Sequence, residues 1–126
     1  MKPIARMAAL CAAVVSWSLP AHHSFAMFDL DRTTSVSGTI KEMQWVNPHA
    51  WLQVNVPDAS GKTVEWSFES GNPSGLYKLG WRQSALKSGD RITVRFHPLR
   101  DGRPGGSLAG VTLANGTELT AERGQP

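Results

Sequence analysis

Four histidines, His22, His23, His49 and His97, carry the sharpest chemistry in this 126-residue chain. Imidazole and amine nitrogens suit Cu(II), Ni(II) or Zn(II), and copper binds tightest at comparable geometry. In a chain beginning at His22, the α-amine and the imidazole of that residue would chelate one ion in the manner of a copper histidine brace. A brace needs a second imidazole from elsewhere, and His49 and His97 are the candidates. No His-x-His or HxxxH spacing sets two ligands on one element, so the fold must bring them together. Each histidine also has a plain reading. Paired histidines can be a polar chain start, and one that follows a proline can hydrogen-bond the turn backbone.

The opening segment decides whether His22 can be a chain start. Lys2 and Arg6 form a basic beginning, Met7 to Val15 an apolar stretch, and Pro20-Ala21 an exit with a small residue. That is the pattern of a cleavable signal peptide, and the stretch is too short to span ~30 Å of hydrocarbon. Cleavage is expected after Ala21, with export to the periplasm or beyond. Cys11 does not make a lipoprotein site, because Leu10 stands where such a site wants a small residue. As the only cysteine, it leaves with the signal, so the mature chain has no disulfide.

Removal of 21 of the 126 residues leaves 105, enough to fold unaided. Lys2 and Arg6 leave too, so 13 Lys+Arg fall to 11 against 10 Asp+Glu, a net charge of +1 rather than +3. The pI of 9.4 therefore overstates the basicity of the mature protein. No dense basic patch remains to argue for nucleic acid, and no further apolar run is long enough to span a membrane. Catalysis is not expected. No Ser-His-Asp set stands out, and Gly102 to Gly106 lacks the Lys-Ser/Thr that follows a phosphate loop.

The elements that must position the histidines begin with Val36 to Ser70, which reads as three strands joined by two turns. Leu52, Val54 and Val56 alternate with Trp51, Gln53 and Asn55, and Val64, Trp66 and Phe68 alternate with Glu65, Ser67 and Glu69. In the first strand the parity slips near Lys41-Glu42, which predicts a bulge. Asn72, Pro73 and Gly80 punctuate a helix of about two turns, whose Leu76 and Leu79 would plug a barrel. A fourth strand is expected over Arg91 to His97, with Ile92, Val94 and Phe96 inward. A flexible loop is expected over Arg100 to Gly106, a fifth strand over Leu108 to Leu113, and a turn at Asn115-Gly116.

Three strands, a short helix and two strands give an all-β, five-stranded Greek-key barrel of the OB-fold kind; a small β-sandwich is the competing architecture. The domain is expected over residues 22–120. Its arm from His22 is an extended lead-in packed by Phe25 and Phe28, and residues 121–126 form a frayed tail. Pairing of the first and fourth strands puts His97 near the start of the first strand and His49 near its far end. The ten residues from His22 to Asp31 could extend ~33 Å and so reach either.

A second candidate surface is aromatic. OB-folds take ligands across the second and third strands, where Trp51, Gln53 and Asn55 have outward parity and Trp45 precedes the turn. Stacking rings beside amides would hold a small molecule or a protein segment without any metal. The arm from His22 could equally cover these tryptophans. Trp66, by parity, belongs to the core.

The set His-His-Ser-Phe after the signal, Gly-Thr-Ile-Lys-Glu, Trp-Val-Asn-Pro-His-Ala-Trp, Trp-Ser-Phe-Glu and Leu-Lys-Ser-Gly-Asp resembles a family of small secreted bacterial proteins known only as a domain of unknown function. The resemblance runs from His22 to about Leu119. It implies an extracytoplasmic β-barrel and supplies no reaction.

Overall fold

The computed structural model describes residues 25–122. The segment expected to be a signal peptide, His22, His23, Ser24 and the last four residues of the tail lie outside the described residues. Six strands and one α-helix follow in order: β1 (Thr34–Gln44), β2 (Trp51–Pro57), β3 (Thr63–Glu69), α1 (Pro73–Lys78), β4 (Arg91–Pro98), β5 (Gly105–Leu113) and β6 (Glu118–Thr120). Their sheet order is β3-β2-β1-β4-β5-β6, and a parallel pairing of β3 with β5 closes the first five strands into a barrel. This is the expected OB-like order, with the helix between the third and fourth strands.

β1 is long because it serves two neighbours. Thr34 to Thr39 pair with β4, and Thr39 to Gln44 pair with β2. The slip read from parity is present: Ile40 pairs with Val54 and Glu42 with Gln53, so Lys41 is the extra residue of a bulge. It keeps Ile40, 1% exposed, in the core while the strand turns from one partner to the other. The bulged lysine reaches Glu65 at 2.5 Å, an exposed pair worth little in stability.

The core is a single cluster that includes Ile40, Leu52, Val54, Phe68, Leu76, Ile92, Val94, Phe96 and Trp81. α1 plugs one end. Asn72 caps it by accepting the Gly75 amide at 2.8 Å, and Pro73 begins its first turn. At the other end Gly80 takes φ +93. The Gly80 amide bonds Tyr77 O and the Trp81 amide bonds Leu76 O, the paired pattern of a Schellman stop. Such a stop brings the residue after the glycine back onto the last turn, and here that residue is Trp81. Its side chain is the largest of the fully buried ones.

Several expectations are corrected. Trp66 faces the core but stays half-buried, against Phe68 and Phe96; Trp81 occupies the sealed position instead. The arm is not an extended lead-in packed by both phenylalanines. Phe25–Met27 form a 3-10 turn, Phe28 is buried and Phe25 is 61% exposed. Gly105 and Gly106, expected in a flexible loop, begin β5 and make the parallel seam with Ser67 and Phe68. The tail is held at its start: the Ala121 amide bonds Ala109 O beyond the short, unexpected strand β6. No helix among the described residues is long and apolar enough to cross a membrane.

Candidate functional site

Barrel closure sets one row of residues across the outer face near the helix-plugged end. Gln44 on β1 pairs with Trp51 on β2, Trp51 with Glu69 on β3, Glu69 with Ser107 on β5, and Ser107 with His97 on β4. Paired residues point to the same side of a sheet, so Glu69, Ser107 and His97 share this face. Two strand spacings of ~4.8 Å separate Glu69 from His97, about 10 Å between their Cα atoms.

Glu69 and His97, on either side of Ser107 in this row, each join a histidine-carboxylate pair. His49 arrives from the turn after β1, and its Nδ1 pairs with Glu69 Oε1; the His49 side chain is 30% exposed and that of Glu69 only 12%. A carboxylate so far removed from water needs a cationic or hydrogen-bonding partner. On the far side of Ser107, His97 Nδ1 donates to Arg32 O at 2.8 Å, and Nε2 meets Glu122 Oε1 at 2.6 Å. Both ring nitrogens of His97 are thus engaged. They clip the arm before β1 to the chain after β6.

The described start of the chain lies on this same face. Asp29 N bonds Pro98 O, Phe28 bridges Leu99, and Arg100 N bonds Met27 O, so the arm runs beside the end of β4. Phe25 and Leu30 line a hollow of about 1000 Å³ with His97, Ser107, Glu122 and the helix residues Leu76 and Leu79. Met27 and Phe28 line a smaller one, about 310 Å³, with Trp51, Glu69 and Arg103.

The structure distributes the sequence candidates unevenly. His49 and His97 come to one end of one face. Among the described residues no group of three histidine, cysteine, aspartate or glutamate side chains converges as a metal-holding set, and His22 and His23 lie outside them. Trp51 lines the smaller hollow, with the arm's Met27 and Phe28 beside it. Trp45 is elsewhere: it stacks on Tyr77 of α1 at 5.3 Å between centroids, with the Arg82 guanidinium 5.9 Å from the centre of the tyrosine ring. Gln53 lies between Glu42 and Ser67 on the outer face. Asn55 lines a third hollow, about 560 Å³, with Ser37, Thr39, Arg91 and Thr93. The four do not line one hollow.

Sequence reasoning assigned no role to Glu69, Ser107 or Glu122. The outward parity of Glu69 was legible in β3, but its contact with His49 depends on the turn after β1. Glu122 gave no signal at all, since it follows a strand of only three residues.

No curated protein and no solved structure matches the chain. The model of a family of unknown function, DUF6152, matches residues 8–109, which include β1 to β4, both seam glycines and His22, His23, His49 and His97. The barrel and the histidine face described above are therefore those of a member of this family: the chain belongs to DUF6152, a family of unknown function.

Proposed function

We propose that the protein is a periplasmic or secreted binding protein, not an enzyme, that holds one transition-metal ion, with copper favoured, through His22 at its mature N-terminus. The observation that carries this reading is the placement of His49, His97 and Phe25. Both histidines stand at one end of the outer face, and Phe25, three positions after His22, lines a hollow with His97. Three residues reach at most about 10 Å. An N-terminal amine with its own imidazole and a second imidazole is a donor set that suits Cu(II). The basic and apolar opening segment supports export and cleavage after Ala21.

The test uses exported protein whose first residue is confirmed as His22 by mass spectrometry. Cu(II) should bind once per chain and raise the melting temperature, because a ligand that prefers the folded state stabilises it. A single extra Met ahead of His22 should abolish tight binding by displacing the amine from the chelate. Lack of saturable copper or zinc binding below ~10 μM, roughly −7 kcal/mol, would sink the reading.

A second reading rests on the hollow beside Trp51. An indole, a guanidinium from Arg103 and the apolar arm around about 310 Å³ suit a small flat ligand without any metal. Trp51→Ala would remove that binding.

A further inference from the structure

We propose that the outer face where β1 passes between β2 and β4 carries a binding site for a small hydroxylated carboxylate, with Arg91 as the group that takes the acid. The site is independent of the metal reading and of the hollow beside Trp51. Strand pairing sets two short rows side by side on this face. Asn55 on β2 pairs with Thr39 on β1, and Thr39 with Arg91 on β4. In the next row Ser37 on β1 pairs with Thr93 on β4, and Thr93 with Thr112 on β5. Neighbours within a row stand ~4.8 Å apart, and the rows are two residues, ~6.7 Å, from each other. The six side chains line one hollow of about 560 Å³, within the range of small-molecule sites, roughly 300–1,000 Å³.

Most of these groups have no partner within the protein. The side chains of Thr39, Asn55 and Thr112 are half-buried, yet they make no hydrogen bond among the described residues. Ser37 and Thr93 share one hydrogen bond between their hydroxyls at 2.8 Å, which engages one hydroxyl hydrogen and leaves the other. A ligand hydroxyl, donor and acceptor at once, matches hydroxyl and amide side chains of this kind. Arg82, Arg100 and Arg103 each hold a carbonyl or a carboxylate of the chain. Arg91 holds neither among the described residues, and the lining of the hollow contains no aspartate or glutamate. Beyond the rows stand Glu65, which is paired with Lys41, and Glu118, past Thr112 on β6. One unpaired guanidinium among neutral groups calls for one negative charge. Its planar fork fits a carboxylate through two parallel hydrogen bonds. Pro57 and Leu113, also in the lining, offer apolar contact to the carbon skeleton that joins the acid to the hydroxyls.

The test uses the exported chain, freed of metal with a chelator, and follows its backbone amide NMR signals during titration with D-glucuronate and with D-gluconate. One or both should saturate, with shifts centred on Thr39, Asn55, Arg91 and Thr112. D-Glucose keeps the hydroxyls without the acid, and acetate keeps the acid without the hydroxyls; each should bind about 10-fold more weakly or worse. Arg91→Met should weaken binding about 10-fold or more, and Arg91→Lys, which keeps the charge without the fork, by less. Thr39→Val keeps the branched shape and removes the hydroxyl, for a loss of about 2–10-fold. Arg95→Met is the control: it removes the same charge two turns of the pleat along β4, outside the hollow, and should change affinity by less than about 2-fold. Melting curves show that each variant folds. The site is overturned if neither acid saturates by ~10 mM, if glucose or acetate binds as well as the acids, or if Arg95→Met loses as much as Arg91→Met. None of these outcomes bears on copper binding, which is measured separately.

Discussion

The indole Nε1 of Trp81 donates a 2.7 Å hydrogen bond to the carbonyl oxygen of Thr120, so the largest sealed side chain of the barrel is tied to its last strand. Trp81 thus does two things at once. It fills the space under α1, and it satisfies a carbonyl of β6 that has no further strand beside it. Trp81→Ala should cost about 3–5 kcal/mol, as expected for a fully buried tryptophan. Trp81→Phe keeps most of the volume and should cost about 1–3 kcal/mol, through the unpaired Thr120 carbonyl. Urea unfolding of both variants separates the two contributions; a Trp81→Phe loss near zero would show that the hydrogen bond contributes nothing.

Trp66 and Trp51 test the assignment of faces. Trp66 packs edge-on to Phe96 with ring centroids 5.6 Å apart and against Phe68 at 6.1 Å, but it is only half-buried. Its replacement by Ala should cost about 2–3 kcal/mol, below the range for a sealed tryptophan. Trp51→Ala should cost about 1 kcal/mol, because its ring lies on the outer face against the arm. The expected order in denaturant melts is Trp81, Trp66, Trp51. A Trp51 loss as large as that of Trp66 would mean that the arm and Trp51 form a second core.

The seam glycines should be intolerant of any side chain. Gly105 has φ +138, and a Cβ there would run into the Ser67 carbonyl of the neighbouring strand. Gly105→Ala should lose about 2 kcal/mol or more and speed amide hydrogen exchange along the β3–β5 pairing. Gly116 is the control. Its φ is +86 and a Cβ there would meet only open space, so Gly116→Ala carries only the left-handed strain of about 1–2 kcal/mol. A seam glycine no more sensitive than Gly116 would argue that β3 and β5 are not locked together.

Asp58 gives a pH prediction with a definite sign. Its Oδ1 accepts from the Ser60 hydroxyl at 2.6 Å and from the Ser60 and Lys62 amides at 2.8 and 2.9 Å. The Ser60 hydroxyl bond is the main reason its carboxyl sits below the ordinary 3.8. The unfolded chain therefore binds a proton at higher pH than the folded one. The stabilising contribution is present above the unfolded value and is lost as pH falls through the lowered folded value. Carboxyl NMR titration should place Asp58 below 3.8, and Ser60→Ala should move it upward. No movement would show that the hairpin turn does not hold the carboxylate in solution.

Much of the barrel was legible because its signals are local. Alternation along Leu52 to Val56 and Val64 to Phe68 is a property of neighbouring residues, and so is the parity slip at Lys41. Asn72, Pro73 and Gly80 announce a helix start and stop through backbone chemistry that needs no tertiary partner. The same local character explains the errors. RPGG reads as a loop because glycine and proline favour turns, and only the approach of β3 makes glycine the one residue that fits. Trp81 follows a stop signal, and its burial depends on what the Schellman turn points it toward.

The sequence by itself determined the element order, the inward faces and the presence of histidines with no His-x-His or HxxxH spacing among them. It also placed His97 near the start of β1 and His49 near its far end, and the strand pairings agree. Tertiary structure decided that the residues beside those opposite ends share one face. β1 curls around the barrel, and the parallel closure of β3 onto β5 sets Glu69 and His97 on either side of Ser107. Distance along a strand is fixed by residue count, but distance across a closed sheet is fixed by which strands pair. That pairing is a long-range choice, made by burial of the whole core at once and written in no single stretch of the chain.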